Sequence, residues 1–222
     1  MNKAIIIVAG GSGSRMQSDI PKQFMLLKGK PLIFHTIEKF HEALPSCKII
    51  VVLPFNQMSY WKELKKQYSF SIALETTAGG KSRFESVKNG MKLIHDECVV
   101  GLHDAVRPLI SIENIQLLFN EAEIKGNAIP FVPCKDSLRE INNNENKAVA
   151  REKYVLIQTP QCFKWSLIKE GYNGEELSSF TDDASVFEHL GGKINLVQGD
   201  ERNIKITYPV DIAFAETVIK NH

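Results

Sequence analysis

Residues 4 to 8 read AIIIV, an apolar run with no polar residue in alternate positions, and this constrains the fold more than any other feature of the chain. A strand with one solvated face alternates apolar and polar side chains, whereas an unbroken run suits a parallel strand buried on both faces. Parallel neighbours need crossover connections, usually helices. The chain should therefore alternate strand and helix, and its pattern does. Leu32 to Glu42 carries apolar residues at 33, 34, 37 and 40, a helical spacing, and Pro45 closes it. Lys48 to Leu53 reads as a second buried strand, Met58 to Gln67 as an amphipathic helix and Ser71 to Glu75 as a strand. Arg83 to His95 follows as a helix opened by the loop 77–82, and Cys98 to His103 as the next strand.

The pattern changes after Ile129. Lys135 to Ile141 and Ala148 to Gln158 read as two extended segments joined by the polar turn cluster Asn142-Asn143-Asn144-Glu145-Asn146, which predicts a protruding hairpin arm at about 134–157. Alternation resumes with a helix near Asp183 to Leu190 that ends at Gly191, a strand near Ile194 to Gln198 and a final helix from about Val210. The expected fold class is α/β: a mostly parallel twisted sheet with helices on both faces and a β-hairpin arm. A chain of 222 residues, 43% hydrophobic, fills one core and is short for two, so residues 1–222 are expected to form a single domain.

Charge and cysteine usage narrow the function. Lys plus Arg number 27 against 26 Asp plus Glu, which leaves no broad basic surface for nucleic acid or anionic membrane. Cys47, Cys98, Cys134 and Cys162 are scattered without a C-x-x-C pair, so neither a zinc site nor a disulfide framework is expected. The N-terminal apolar run is too short for a signal-peptide core, and no stretch approaches the roughly 18 apolar residues of a membrane span. A soluble, cytoplasmic protein is expected.

Sheets of this kind bind ligands beyond the carboxyl ends of their strands, where the loops 10–15, 79–83 and 104–108 leave. In the first loop Gly10, Gly11 and Gly13 let the backbone approach an anion closely, and Arg15 and Lys22 add fixed positive charge. A dinucleotide fingerprint would need a third glycine where Met16 stands, and a Walker A loop would need Gly-Lys-Ser/Thr where the chain reads Gly13-Ser14-Arg15. Asp104 closes a buried strand beside these loops. It suits a magnesium ligand, since Mg²⁺ takes few protein oxygens, and equally a helix cap or a salt bridge to Arg107. His103 reads as a structural residue at a strand end, and His35, His41, His95 and His189 share no metal spacing. Asp182 and Asp183 read as capping and first-turn charges.

Four further stretches complete a pattern: Gly79-Gly80-Lys81-Ser82-Arg83 with Ser86, Thr159-Pro160-Gln161, Thr181-Asp182-Asp183-Ala184-Ser185, and Asn203-Ile204-Lys205-Ile206-Thr207 before Pro209 and Asp211. With the first loop and the stretch from His103 to Pro108, their order resembles the 2-C-methyl-D-erythritol 4-phosphate cytidylyltransferase family of the non-mevalonate isoprenoid pathway, from Ala4 to about Ala215. The resemblance implies one Rossmann-like domain, a homodimer formed through the arm, and CTP, Mg²⁺ and a sugar-alcohol phosphate as reactants and cofactor. It implies that Arg15 and Lys22 hold the triphosphate and stabilise the transition state, with Asp104 at the metal. Ala9, Gly10, Gly11, Gly13, Gly80, Arg83, Ser86 and Ala105 would hold the nucleotide. Arg151, from the partner subunit, and Lys205 would position the attacking phosphate, while Thr159, Thr181 and, across the dimer, Ser137 would contact the same substrate. Many members have threonine where Ser137 stands, and a second alanine in place of Val106 or Gly10.

The chemistry agrees with the residues. A phosphate monoester is mostly dianionic at neutral pH and is already a nucleophile, so no general base is required. Cytidylyltransferases for ribitol 5-phosphate share the glycine loop, an His-Asp-Ala-Val-Arg-Pro stretch and a Thr-Pro-Gln, and are the nearest alternative. Lys135 to Arg139 and Thr181 to Ser185 stand closer to the methylerythritol family. A non-catalytic nucleotide-binding protein is a third reading, opposed by the retention of Arg15, Lys22, Asp104 and Lys205.

Overall fold

The structure is a computed structural model and describes residues 1–10, 20–143 and 145–219. The expected first strand is β1 (Asn2–Val8), and its residues from Ala4 onward are buried. In chain order there follow β2 (Leu26–Leu27), β3 (Lys30–Pro31), α1 (Leu32–Ala43), β4 (Lys48–Leu53), α2 (Met58–Gln67), β5 (Glu75–Ala78), α3 (Arg83–Met91) and β6 (Cys98–Asp104). The second half holds α4 (Ile112–Lys125), β7 (Asn127–Pro133), β8 (Leu138–Asn142), β9 (Glu145–Val149), β10 (Val155–Ile157), β11 (Gln161–Lys164), α5 (Trp165–Asn173), α6 (Asp183–His189), β12 (Leu196–Gln198) and α7 (Pro209–Val218).

The main sheet has the order β10-β7-β11-β6-β1-β4-β5, with β12 on β7. β1 runs parallel to β4 and β6, and β4 parallel to β5, whereas β11 is antiparallel to both β6 and β7. Alternate residues of β1 enter two different cores. Ile5 and Ile7 join α1, α2 and α4 through Phe34, Trp61 and Phe119, whereas Ala4, Ile6 and Val8 join α3, α5 and α6 through Val87, Ile168 and Val186. This is the two-sided burial that the run without alternation implies. The sheet is mostly parallel with helices on both faces, a Rossmann-like arrangement. Gly101 of β6 allows the close approach of α4: a Cβ there would lie 2.8 Å from Ile5 Cδ1 and 2.9 Å from Phe119 Cζ.

Several elements differ from the sequence pattern. The strand expected at Ser71–Glu75 is β5, Glu75–Ala78, because Ile72 and Leu74 pack on the core ahead of the ladder and pairing begins only with Glu75 opposite Ile50. The helix expected to reach His95 stops at Met91, after which Leu93 N–H and Ile94 N–H form tighter turns to Gly90 and Met91 carbonyls. Helices α4 and α5 add to the expected elements. The buried positions of α4, Ile115, Leu118, Phe119 and Ala122, have the spacing that periodicity could have found. The arm is a separate two-stranded ladder, β8 against β9, and β10 returns to the main sheet on β7. Arg151 lies between them, in the 3-10 turn Arg151–Lys153 rather than on a strand.

Register positions the site. Val8 lies opposite both Val52 and Asp104, and Leu53 opposite Ala78, so β1, β4, β5 and β6 end on one edge. Gly10, the 79–83 loop and the 104–108 loop therefore leave together.

Candidate active site

Two adjoining cavities open on that edge. The first, about 290 Å³, is lined by Ala9, Gly10, Lys22, Gly80, Arg83, Ser86, Asp104 and Lys205 among others. The second, about 330 Å³, is lined by Arg107, Thr159, Thr181 and Asp182, and it shares Arg83, Asp104 and Lys205 with the first. Those three residues form the seam.

Local structure explains how each wall is set. Lys22 opens a 3-10 turn after Pro21 and is buried. Gln23 fastens that turn to the exit of β1, its Nε2 donating to Ala9 O at 2.8 Å and to Gln57 Oε1 at 2.6 Å, and Phe24 sets it among Tyr60 and Trp61. Opposite, Ser82 caps α3 by accepting from Glu85 N–H at 3.1 Å. Ser86 Oγ donates to Ser82 O and accepts from Gly80 N–H, which ties the loop to the helix. Gly80 leaves no room for a side chain there, since a Cβ would lie 2.2 Å from Glu85 Cβ.

Asp104 is the electrostatic centre. Its Oδ2 lies 3.2 Å from Arg107 Nε and 3.2 Å from Lys205 Nζ, and its Oδ1 lies 3.6 Å from Arg83 Nε. Burial pushes the carboxyl up, but Arg83, Lys205 and Arg107 outweigh it and hold Asp104 well below the usual carboxylate range. It is ionised at any working pH. Arg83 is fixed in turn by Asp183, its Nη1 and Nη2 donating to the two carboxylate oxygens at 2.6 Å each, and Tyr172 OH donates to Asp183 Oδ1 at 2.5 Å.

A second network stands behind Asp104. Burial holds His103 neutral, pushing it down to about 3. Its Nε2 faces Arg107 O at 3.3 Å, and a carbonyl only accepts, so Nε2 carries the proton and Nδ1 accepts from Thr159 Oγ1 at 3.0 Å. Thr159 Oγ1 then accepts from Asp104 N–H at 3.1 Å. His103 is structural, as its position at a strand end implies.

Of the residues singled out by sequence, Ala9, Gly10, Lys22, Gly80, Arg83, Ser86, Asp104 and Lys205 meet at the first cavity, and Thr159 and Thr181 at the second. Arg15, Gly11 and Gly13 lie outside the described residues. Ala105 is fully buried behind the wall, its N–H donating to Val8 O and its carbonyl accepting from Thr36 Oγ1, and Val106 takes the lining position. Ser137 and Arg151 are exposed and line neither cavity of their own chain; Arg151 donates to Lys135 O. Gln23 is the contributor that lacks a sequence signal of its own. The salt bridge from Asp104 to Arg107, one of the readings the sequence allows, is present at 3.2 Å. Asp182 is the α6 cap, as its position implies, but Asp183 is a buried ion-pair partner as well as a first-turn charge.

For a metal the donor set is narrow. Among the described residues no group of three or more His, Cys, Asp or Glu side chains could hold one. Asp104 is a single ionised carboxylate on a cavity wall, and that fits Mg²⁺, which binds through one or two carboxylates with water and phosphate completing its shell.

Cations gathered round one carboxylate at the end of parallel strands suit the handling of nucleotide phosphates, so fold and site define a Rossmann-like phosphate-handling protein. Comparison with known proteins narrows that class. The family model for 2-C-methyl-D-erythritol 4-phosphate cytidylyltransferase matches residues 3–221, and the chain belongs to that family. It is 45% identical over 219 residues to the 2-C-methyl-D-erythritol 4-phosphate cytidylyltransferase of Phocaeicola vulgatus, covering 99% of this chain and 100% of that one. To the Bacteroides thetaiotaomicron protein of the same name it is 42% identical over 219 residues, with the same coverage. The solved structure of the Francisella tularensis 2-C-methyl-D-erythritol 4-phosphate cytidylyltransferase matches with a TM-score of 0.83 at 29% identity, covering 99% of this chain and 100% of that chain. The 4-diphosphocytidyl-2C-methyl-D-erythritol synthase of Anaerococcus prevotii matches with a TM-score of 0.82 at 27% identity, covering 97% of each chain.

Proposed function

We propose that this chain transfers the cytidylyl group of CTP to 2-C-methyl-D-erythritol 4-phosphate and releases pyrophosphate, a step of isoprenoid biosynthesis. The family match over residues 3–221 carries the reading. The two cavities joined at Asp104, Arg83 and Lys205 support it, because the reaction must bring two anions side by side.

The first cavity takes CTP and the second the sugar-alcohol phosphate. A phosphate oxygen of the second substrate attacks the α-phosphorus, a new P–O bond forms, and the bond to the β-phosphate oxygen breaks with its electron pair leaving on pyrophosphate. Lys22 and Arg15 draw the triphosphate charge, while Lys205 and Arg107 hold the attacking phosphate at the seam. Their positive charges act on charge that grows in the transition state, so they lower the barrier and do not merely bind. Asp104 would hold Mg²⁺, which supplies further neutralisation of phosphate charge when bound. Thr181 contacts the second substrate, and Thr159 keeps Asp104 in place through its backbone N–H.

Arg151 and Ser137 complete the site of a neighbouring copy, as members of a homodimer whose arms cross. Their exposure on the arm side and their absence from both cavities of their own chain support this. The protein works in the cytoplasm, a setting that its free cysteines suit; among the described residues no helix is long and apolar enough to cross a membrane. The test is pyrophosphate release from CTP and Mg²⁺ with a panel of polyol phosphates. The highest kcat/KM is expected with methylerythritol 4-phosphate, and a higher value with ribitol 5-phosphate would overturn the substrate assignment.

A further inference from the structure

We infer that Asp183 and Tyr172 are positioning residues for this reaction, holding the Arg83 guanidinium at the seam where the phosphates of the two reactants meet. The inference rests on the cytidylyl-transfer reading. Arg83 is the first residue of α3, Asp183 the first of α6, and Tyr172 lies near the end of α5. Asp183 is fully buried and lines neither cavity, so it reaches substrate only through Arg83.

The geometry of Arg83 shows what the clamp does. Both terminal nitrogens donate to Asp183, so only the Nε edge is left for Asp104, 3.6 Å from Oδ1. A guanidinium without that anchor would close on Asp104 as a two-pronged pair and take both its oxygens, the preferred geometry for arginine and carboxylate. Asp104 Oδ2 already serves Arg107 and Lys205. The clamp therefore keeps Oδ1 the less engaged oxygen and keeps Arg83 in contact with both cavities. Tyr172 adds a donor to Asp183 and is itself held by stacking on Phe84, ring centres 4.8 Å apart at 26°. Gly171 allows α5 to approach α6 closely enough for this, since a Cβ there would lie 2.6 Å from Val186 Cγ1.

A docking role alone explains the arrangement less well. Buried ion pairs are weak contributors to stability relative to apolar packing of equal size, whereas they fix orientation well. The apolar groups that dock these helices, Phe84, Val186 and Phe187, are already present.

Steady-state kinetics and thermal melts of Asp183→Asn, Tyr172→Phe, Asp183→Glu, Arg83→Ala and the double variant Asp183→Asn/Arg83→Ala test the inference. Loss of charge-assisted hydrogen bonds predicts a fall of about 10- to 100-fold in kcat for Asp183→Asn, with KM for each substrate changing far less. Tyr172→Phe should lose about 3- to 10-fold for one hydrogen bond. Asp183→Glu, which keeps a two-pronged carboxylate, should recover part of the loss. In the Arg83→Ala background Asp183→Asn should cost nothing more, because the group it positions is gone. Multiplying losses in the double variant would overturn the inference, as would folded single variants that melt earlier but keep wild-type kcat and KM. If Asp183→Asn does not fold, Tyr172→Phe and Asp183→Glu decide between the same two outcomes, since both keep the charge pair. A wild type without turnover overturns the cytidylyl-transfer reading itself, and the inference with it; unchanged variants of an active wild type overturn the inference alone.

Discussion

Replacing Lys205 by methionine separates what the seam contributes to catalysis from what it contributes to stability. The ammonium lies 3.2 Å from Asp104 Oδ2, on a side chain 44% exposed. An ion pair that open to water is worth less than about 1 kcal/mol after screening. Methionine keeps the stem and its packing. For a chain of this size 1 kcal/mol corresponds to roughly 2–4 °C in Tm, so the variant should melt within about 4 °C of the wild type. Asp104 still has Arg83 and Arg107 beside it and stays ionised. Catalysis should respond on a different scale. Removing one fixed donor that faces developing charge costs about 100- to 1,000-fold in rate, or about 2.7–4 kcal/mol of barrier. Pyrophosphate release under saturating CTP and Mg²⁺ gives kcat/KM for the sugar-alcohol phosphate, and a melt of the same preparation gives Tm. A kcat/KM within about tenfold of wild type would refute the reasoning. So would a large fall in Tm that accounts for the activity lost, since Lys205 would then be a structural group.

Acid should weaken the fold with a sign set chiefly by His103: burial lowers its pKa to about 3, so stability is full above the unfolded value near 6.5 and is lost as pH falls below it. At pH 5.5 the loss is about 1.4 kcal/mol, or about 3–6 °C in Tm, with His35 adding in the same direction; a His103→Asn variant should show a flatter profile, and an unchanged profile would sink the assignment. Asp104→Asn should need more Mg²⁺ for half-maximal rate, and an unaltered titration would remove Asp104 from the metal site. Lys22→Ala and Arg151→Ala subunits, each nearly inactive as homodimers, should regain activity when allowed to exchange, because one site of each mixed dimer carries neither lesion. With equal mixing about a quarter of all sites recover, and verified exchange without recovery would place Arg151 outside the neighbour's site.

The sheet was legible because its signal is local. An apolar run without alternation carries two-sided burial in five residues, and Ile5 and Ile6 do enter opposite cores. Periodicity served less well where burial and pairing part company, as at Ile72 and Leu74, which are apolar because they pack and yet lie outside the ladder. The arm's turn was readable from its asparagines, with Asn143 at φ 52, a conformation that asparagine tolerates better than most residues. Arg151 lies off the extended segment expected for it, because nothing in the sequence between Ala148 and Gln158 marks the 3-10 turn that divides that segment.

The site was legible as a set of loops and opaque as a set of contacts. Asp104 stands 79 residues from Arg83's partner at position 183 and 101 from Lys205, and no spacing rule joins such positions; parallel register and the return of β11 beside β6 do. That topology also decides the electrostatics. Arg83, Arg107 and Lys205 would repel one another across the seam without counter-charge; Asp104 supplies one and Asp183, on Arg83, a second, which leaves these five groups net positive. A lone cation facing two phosphates would be free to follow either; three cations anchored on two buried carboxylates, Asp104 and Asp183, would not. The near balance of charge over the whole chain conceals this concentration, and in the proposed reaction it is the concentration, set before substrate arrives, that would let two anions approach without the protein reorganising at the moment of transfer.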